Sequence, residues 1–240
     1  MPPLTQNKLF QRLPENGGPG DTVWGIGFMS KQGFTKILDL TGKPAVAEAE
    51  APHPEGGIVF VRMAREDEIA TLHQLTVSQI GQQVAPLEAM QDVYRHNPET
   101  LWIIFRAPNG DKSQAQLVGY YGFLHLNEAG HKALEARTIT PRKPDLSLLT
   151  PAGERPSAVY IWAIVARKLT TLTIPLVGKG LGIKRYGGLP FYATAATMGG
   201  LNGLKGYGFT GSAAEPVDEL GGLFHFYMPG EADRAPSTAA

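Results

Sequence analysis

The order of elements between Val159 and Phe209 constrains the fold more tightly than any other stretch of this chain. Val159-Tyr-Ile-Trp-Ala-Ile-Val165 is an apolar run rich in β-branched and aromatic residues, the composition of a buried strand. A basic, threonine-rich turn follows, then a glycine-bearing segment and a second short run, Leu189-Pro-Phe-Tyr-Ala-Thr194. Ala195 to Tyr207 reads as a helix that closes on Gly208-Phe209. The order is therefore strand, tight turn able to hold an anion, helix, strand, helix, Gly-Phe.

Upstream, Ile58-Val-Phe-Val-Arg-Met63 reads as a strand. Glu66-Asp-Glu68 then supplies the negative charge that suits the positive end of a helix dipole, and Ile69, Leu72, Thr76 and Ile80 recur at helical spacing. Pro86 suits the first turn of a second helix whose buried face is Leu87, Met90, Val93 and Tyr94. After the break at Asn97-Pro98, Leu101 to Arg106 and Leu117 to Leu126 read as strands joined through the turn Pro108-Asn-Gly-Asp111. Leu223 to Met228 is a closing strand. The sum is an α/β (α+β) three-layer domain, with a central mixed, mostly antiparallel sheet flanked by helices.

A chain of 240 residues supports one substantial core, so one domain with appendages is expected. Residues 1–57 read as an accessory arm, broken by Glu15-Asn-Gly-Gly-Pro-Gly20 and by Glu48 to Gly57, with Thr22–Met29 and Phe34–Leu40 able to pair as a hairpin. Residues 58–229 form the domain, and residues 230–240 are a small, polar tail expected to fray. The insertion at 127–157, with a short helix at Glu128 to Arg137, is long enough to serve as a lid.

Several function classes are disfavoured by composition. Twenty-two basic and 22 acidic residues cancel, so no global field draws the chain to nucleic acid or an anionic membrane. The absence of cysteine removes disulfides, thiolate metal sites and a cysteine nucleophile. The N-terminus lacks the basic start and apolar core of a signal peptide, so a cytoplasmic location is expected. The six histidines show no paired ligand spacing, so no metal is expected, and no Gly-x-Ser-x-Gly turn announces a hydrolase.

From Ile58 to Met228 this order of elements, with Gly208-Phe209 after the penultimate helix, resembles the GNAT N-acyltransferase superfamily. The resemblance implies an acetyl-CoA-dependent N-acetyltransferase. Its fourth strand would carry the pantetheine arm of the cosubstrate on an open edge, and the following turn would bind the pyrophosphate at a helix N-terminus.

Two stretches compete for that turn. By letter, the family's [RQ]-x-x-G-x-[GA] pattern falls on Val177-Gly-Lys-Gly-Leu-Gly182, with Val177 in place of the usual Arg or Gln, and leaves only Ile183 to Gly188 for a helix. By length, the turn is Ala166-Arg-Lys-Leu-Thr-Thr171, directly after the strand, with a helix over about 172–186 that must tolerate Pro175 within or near its first turn. The length argument is favoured. It makes Ile164, Val165, Ala166, Arg167, Lys168, Thr170 and Thr171 the cosubstrate-binding residues, with Thr170 or Thr171 capping the helix.

Acyl transfer needs a deprotonated amine, and a lysine-like amine is nearly all charged at pH 7. Candidate catalytic residues are His125, Glu128 and Tyr207, with Glu135 a further acid in the insertion. The tyrosine that many family members carry five residues before the Phe of Gly-Phe is here Leu204, and the matching upstream Asn is Thr197. The acceptor implied is a small-molecule or protein amine, and a homodimer is compatible with the chain. The alternative is a catalytically silent member of the fold that binds CoA or a partner without turnover.

Overall fold

Runs of β-branched and aromatic residues separated by helical periodicity build a single layered sheet, and the computed structural model describes residues 49–81, 84–166, 169–196, 198–211 and 220–229 of it. The expected hairpin at Thr22–Met29 and Phe34–Leu40, and the tail, lie outside these residues. Among the described residues eight strands pair: β1 Ala49–Pro52, β2 Ile58–Met63, β3 Leu101–Ala107, β4 Gln116–Leu126, β5 Ala158–Val165, β6 Pro190–Thr194, β7 Thr210–Gly211 and β8 Leu223–Tyr227. Their order is β1-β2-β3-β4-β5-β6-β8-β7. β5 and β6 run parallel, and every other neighbouring pair is antiparallel. This is the expected three-layer α/β architecture on a mixed, mostly antiparallel sheet.

One face carries α1 Ile69–Ile80, α2 Leu87–His96 and α3 Glu128–Glu135. Ile69, Leu72, Met90, Val93 and Leu134 enter its core, with Leu87 and Tyr94 packed at the margin. Thr76, on the apolar stripe of α1, is buried and meets the Tyr120 hydroxyl at 2.6 Å. The opposite face is covered by α4 Thr170–Leu181, α5 Ile183–Tyr186 and α6 Met198–Gly206. Leu176, Val177, Tyr186, Leu201 and Leu204 pack there against Val59, Trp102, Tyr121 and Phe191.

Two strands escaped the sequence. Ala49–Pro52, within a stretch read as a breaker and assigned to the arm, pairs antiparallel with β2 and is the outermost strand on that side among the described residues. Thr210–Gly211 pairs with β8 immediately after Gly208-Phe209. Both are too short for a period-two pattern to stand out, and only pairing defines them.

The glycines of Val177–Gly182 are explained by packing. A Cβ on Gly180 would stand 2.3 Å from the Trp102 ring, so glycine lets α4 sit close on the sheet. Gly182, at φ +82°, ends the helix in a conformation that favours glycine. α4 starts at Thr170, about two residues before the expected helix, so Pro175 falls in its second turn.

Candidate functional site

The parallel pairing of β5 with β6 stops early. Val159 pairs with Phe191 and Tyr160 with Tyr192, and beyond them Ile161–Val165 has no partner on β6. β6 stays paired with β8 as far as Thr194, so the two strands part while each keeps its other neighbour. Among the described residues this leaves an edge of β5 in mid-sheet with no strand beside it, the kind of edge that recruits an extended ligand.

A β-bulge lies at the parting. Gly122 pairs with Ala163 and Phe123 with Ile161, which makes Trp162 the extra residue. Trp162 and Ala163 consequently both enter the α1–α3 core, and the alternation of β5 resumes with Ile164 in the opposite core. The end of β5 is pressed against β4: a Cβ on Gly119 would stand 2.0 Å from the Val165 oxygen.

Ile164, Val165 and Ala166 are buried, so they offer a ligand mainly their backbone. Arg167 and Lys168 lie outside the described residues. α4 begins at Thr170, five residues past the end of β5, and the peptide N–H groups of its first turn have no partner within the helix. The expected threonine cap is not formed by Thr170: Leu169 holds the cap position, and the buried Thr170 hydroxyl donates back to the Ala166 carbonyl at 3.3 Å. Thr171 is the second residue of the helix. The rival stretch Val177–Gly182 spans the last turns and end of α4.

On the α4 side, the Tyr121 hydroxyl lies 2.7 Å from Thr173 Oγ1, which donates to the Leu169 carbonyl at 2.8 Å. Tyr207 is buried near Tyr121, and burial together with Tyr121 raises its hydroxyl above the usual tyrosine range. It stays protonated. Leu204 is 1% exposed among apolar neighbours, so the helix offers no hydroxyl there.

On the α3 side, a polar cluster stands where the strands part. The Tyr192 hydroxyl donates to Glu135 Oε1 at 2.9 Å and lies 2.8 Å from His131 Nε2. His131 and Glu135 are i,i+4 on α3 and therefore share one helix face. The Tyr160 hydroxyl reaches Thr194 across the gap at 3.4 Å. Arg137, at φ 59° just past α3, donates to the Gly221 carbonyl. Sequence reading passed over His131 because it sought metal-ligand spacing, although its four-residue offset from Glu135 was visible.

The insertion is stitched to the body. Asn127 and Thr150 donate backbone N–H bonds to Leu148 and His125, the Trp162 indole donates to the Pro141 carbonyl at 2.8 Å, and a Cβ on Gly130 would stand 2.1 Å from the Leu148 oxygen. Between it and β4 lies a cavity of about 150 Å³, lined by Leu124, Ile139, Lys143, Asp145 and Leu149 among others.

The other expected catalytic groups stand elsewhere. His125 is 2% exposed and sits opposite Val159, at the end where β5 and β6 are still paired. Its Nδ1 accepts from Asn97 at 2.9 Å, which puts the proton on Nε2, 3.4 Å from the Tyr186 oxygen. Tyr186 donates to Glu99 Oε2 at 2.5 Å, and Arg185 pairs with the same carboxylate. Burial, aided by Arg185, pushes His125 down to about 3, so it is neutral and a poor base. Glu128 is exposed at the start of α3, where Lys132 holds its carboxyl below the usual range.

Among the described residues no group of three or more His, Asp or Glu side chains converges as a metal site, and no helix is long and apolar enough to cross a membrane. No protein-family model matches the chain, and no curated protein matches it. Among solved structures it is similar to the histone acetyltransferase HPA2 and related acetyltransferase from Corynebacterium glutamicum ATCC 13032. The two are 15% identical, with a TM-score of 0.38, over 74% of this chain and 97% of that one.

Proposed function

We propose that this chain is a GNAT-type N-acyltransferase that moves an acyl group from acyl-CoA to an amine. The observation that carries the reading is the parting of β5 and β6 after Tyr160 and Tyr192, which opens the Ile161–Val165 edge just before a helix N-terminus. The pantetheine amides would pair with that edge as an added strand. The pyrophosphate would meet the first amides of α4, with Arg167 and Lys168 adding charge.

In this reading a backbone N–H near Ile164 to Ala166 polarises the thioester oxygen, which gains negative charge as the amine attacks. Tyr207 keeps its proton and offers a hydroxyl donor to the departing sulfur. Most of the catalysis is positioning on a rigid strand and helix. The buried, apolar Leu204 favours a second reading, a silent member that binds CoA without turnover.

A thermal-shift titration tests the shared part of both readings. Acetyl-CoA at about 100 times its Kd adds ~2.7 kcal/mol of stability, and an unmoved melting curve at millimolar acetyl-CoA would sink both. Thiol release against a panel of amines then separates enzyme from silent binder.

A further inference from the structure

We propose that His131, Tyr192 and Glu135 form the proton relay that deprotonates the acceptor amine; this rests on the acyltransferase reading above. Three observations carry it. The cluster sits at the last paired residues of β5 and β6, because Tyr192 is the partner of Tyr160. It lies on the face of the sheet opposite α4, so a CoA approaching along the α4 end leaves this side to the acceptor. Its donors and acceptors line up in one direction.

The direction follows from proton counting. Tyr192 has one hydroxyl proton and donates it to Glu135 at 2.9 Å. His131 Nε2, 2.8 Å from the same oxygen, must then be the donor in that contact, which leaves Nδ1 with the lone pair. His131 Nε2 also stands 3.6 Å from Glu135 Oε1, while Nδ1 makes no polar contact among the described residues, and the side chain is 25% exposed. A proton accepted at Nδ1 can thus be matched by release of the Nε2 proton through Tyr192 to Glu135, whose side chain is 56% exposed to solvent.

The step balances. An alkylammonium gives one proton to Nδ1, and the free amine attacks the thioester carbon to form the C–N bond. The C–S bond breaks, and the second nitrogen proton goes to the thiolate, giving amide and free thiol. Glu135 also favours a cationic acceptor at the mouth. The titratable or charged neighbours that bear on the relay are Tyr160 on β5, His225 on β8, whose ring centroid is 6.0 Å from that of Tyr192, Tyr227 at the end of β8, and Arg137 after α3.

The test compares wild type with His131→Gln, Glu135→Gln and Tyr192→Phe on the full chain, using spermine, glycinamide and a lysine-containing peptide as acceptors. His131→Gln is expected to lower kcat about a hundredfold at pH 7. The deficit should shrink as pH rises toward the amine's pKa, while the acetyl-CoA thermal shift stays at the wild-type value. Wild-type kcat and pH profile in His131→Gln would overturn the relay and leave the cosubstrate reading standing. Should that variant fail to fold, ring resonances of 13C-labelled histidine in the wild type decide. They are expected to move when amine is added to the CoA complex, and a His131 signal unmoved by every amine overturns the relay. Absence of any acetyl-CoA shift in wild type overturns the acyltransferase reading itself.

Discussion

Gly119 on β4 lies so close to Val165 on β5 that a methyl group there would stand 2.0 Å from the Val165 carbonyl oxygen. That oxygen belongs to the last residue of the strand whose open edge defines the candidate site. Gly119→Ala is expected to lose about 1–3 kcal/mol of stability and to weaken acetyl-CoA binding, because the end of β5 must move. Gly122→Ala is the control: its Cβ would meet Ala163 Cβ at 3.4 Å, an ordinary contact, and urea unfolding should shift by less than ~1 kcal/mol. Equal losses in the two variants would refute the argument.

The glycines of α4 and the basic pair before it should separate cleanly. Gly180→Ala drives a methyl into Trp102 and is expected to destabilise the fold by about 1–3 kcal/mol. Lys179→Ala, on the exposed side of the helix, should leave acetyl-CoA affinity unchanged. Arg167→Ala with Lys168→Ala should weaken it roughly tenfold at low salt and less at high salt. Urea unfolding reads the first and isothermal titration at two ionic strengths the other two, and a loss confined to Lys179→Ala would move the phosphate contact to Val177–Gly182.

His125 predicts a pH signature. Its folded value of about 3 lies below the ordinary 6.5, so the unfolded chain binds the extra proton first as pH falls. The stability it contributes is full above about 6.5 and is lost as pH drops from there toward about 3, by up to ~1.4 kcal/mol per unit. Urea midpoints at pH 7 and pH 5 should differ in wild type and differ less in His125→Gln. An identical slope in that variant would assign the effect to other groups.

The tyrosines on the α4 side have distinct expected roles. Thr173→Val removes the partner of the buried Tyr121 hydroxyl and should destabilise by about 1–3 kcal/mol, with Thr173→Ser restoring most of it. Tyr207→Phe should fold normally and bind acetyl-CoA as wild type does, but turn over roughly a hundredfold more slowly. Unchanged kcat would reduce Tyr207 to packing.

The long elements were readable because their patterns are local. Ile69, Leu72 and Thr76 mark the buried face of α1, and the apolar runs of β3 and β5 announced buried strands. The Glu128 helix and a helix after β5 were likewise anticipated, although α4 starts two residues early and Thr170 faces the Ala166 carbonyl instead of capping. β1 and β7 were not, since four and two residues hold too little pattern to distinguish a strand from a turn.

The site was less readable. His125 looked like a base at a strand end, but nothing in its neighbours in sequence tells that Asn97, Tyr186 and Arg185 surround it and keep it neutral. His131, on α3, looked idle because its partner Tyr192 lies 61 residues away on β6.

What the sequence by itself determined is the order of the longer strands and helices, because periodicity and glycine or proline breaks act within a few residues. Tertiary structure alone decided where β5 and β6 part, that Trp162 is a bulge, that Gly180 serves Trp102, and which histidine stands at the opening. Those depend on strand register and on contacts between distant residues, and a one-residue shift in register would send each side chain to the other face of the sheet.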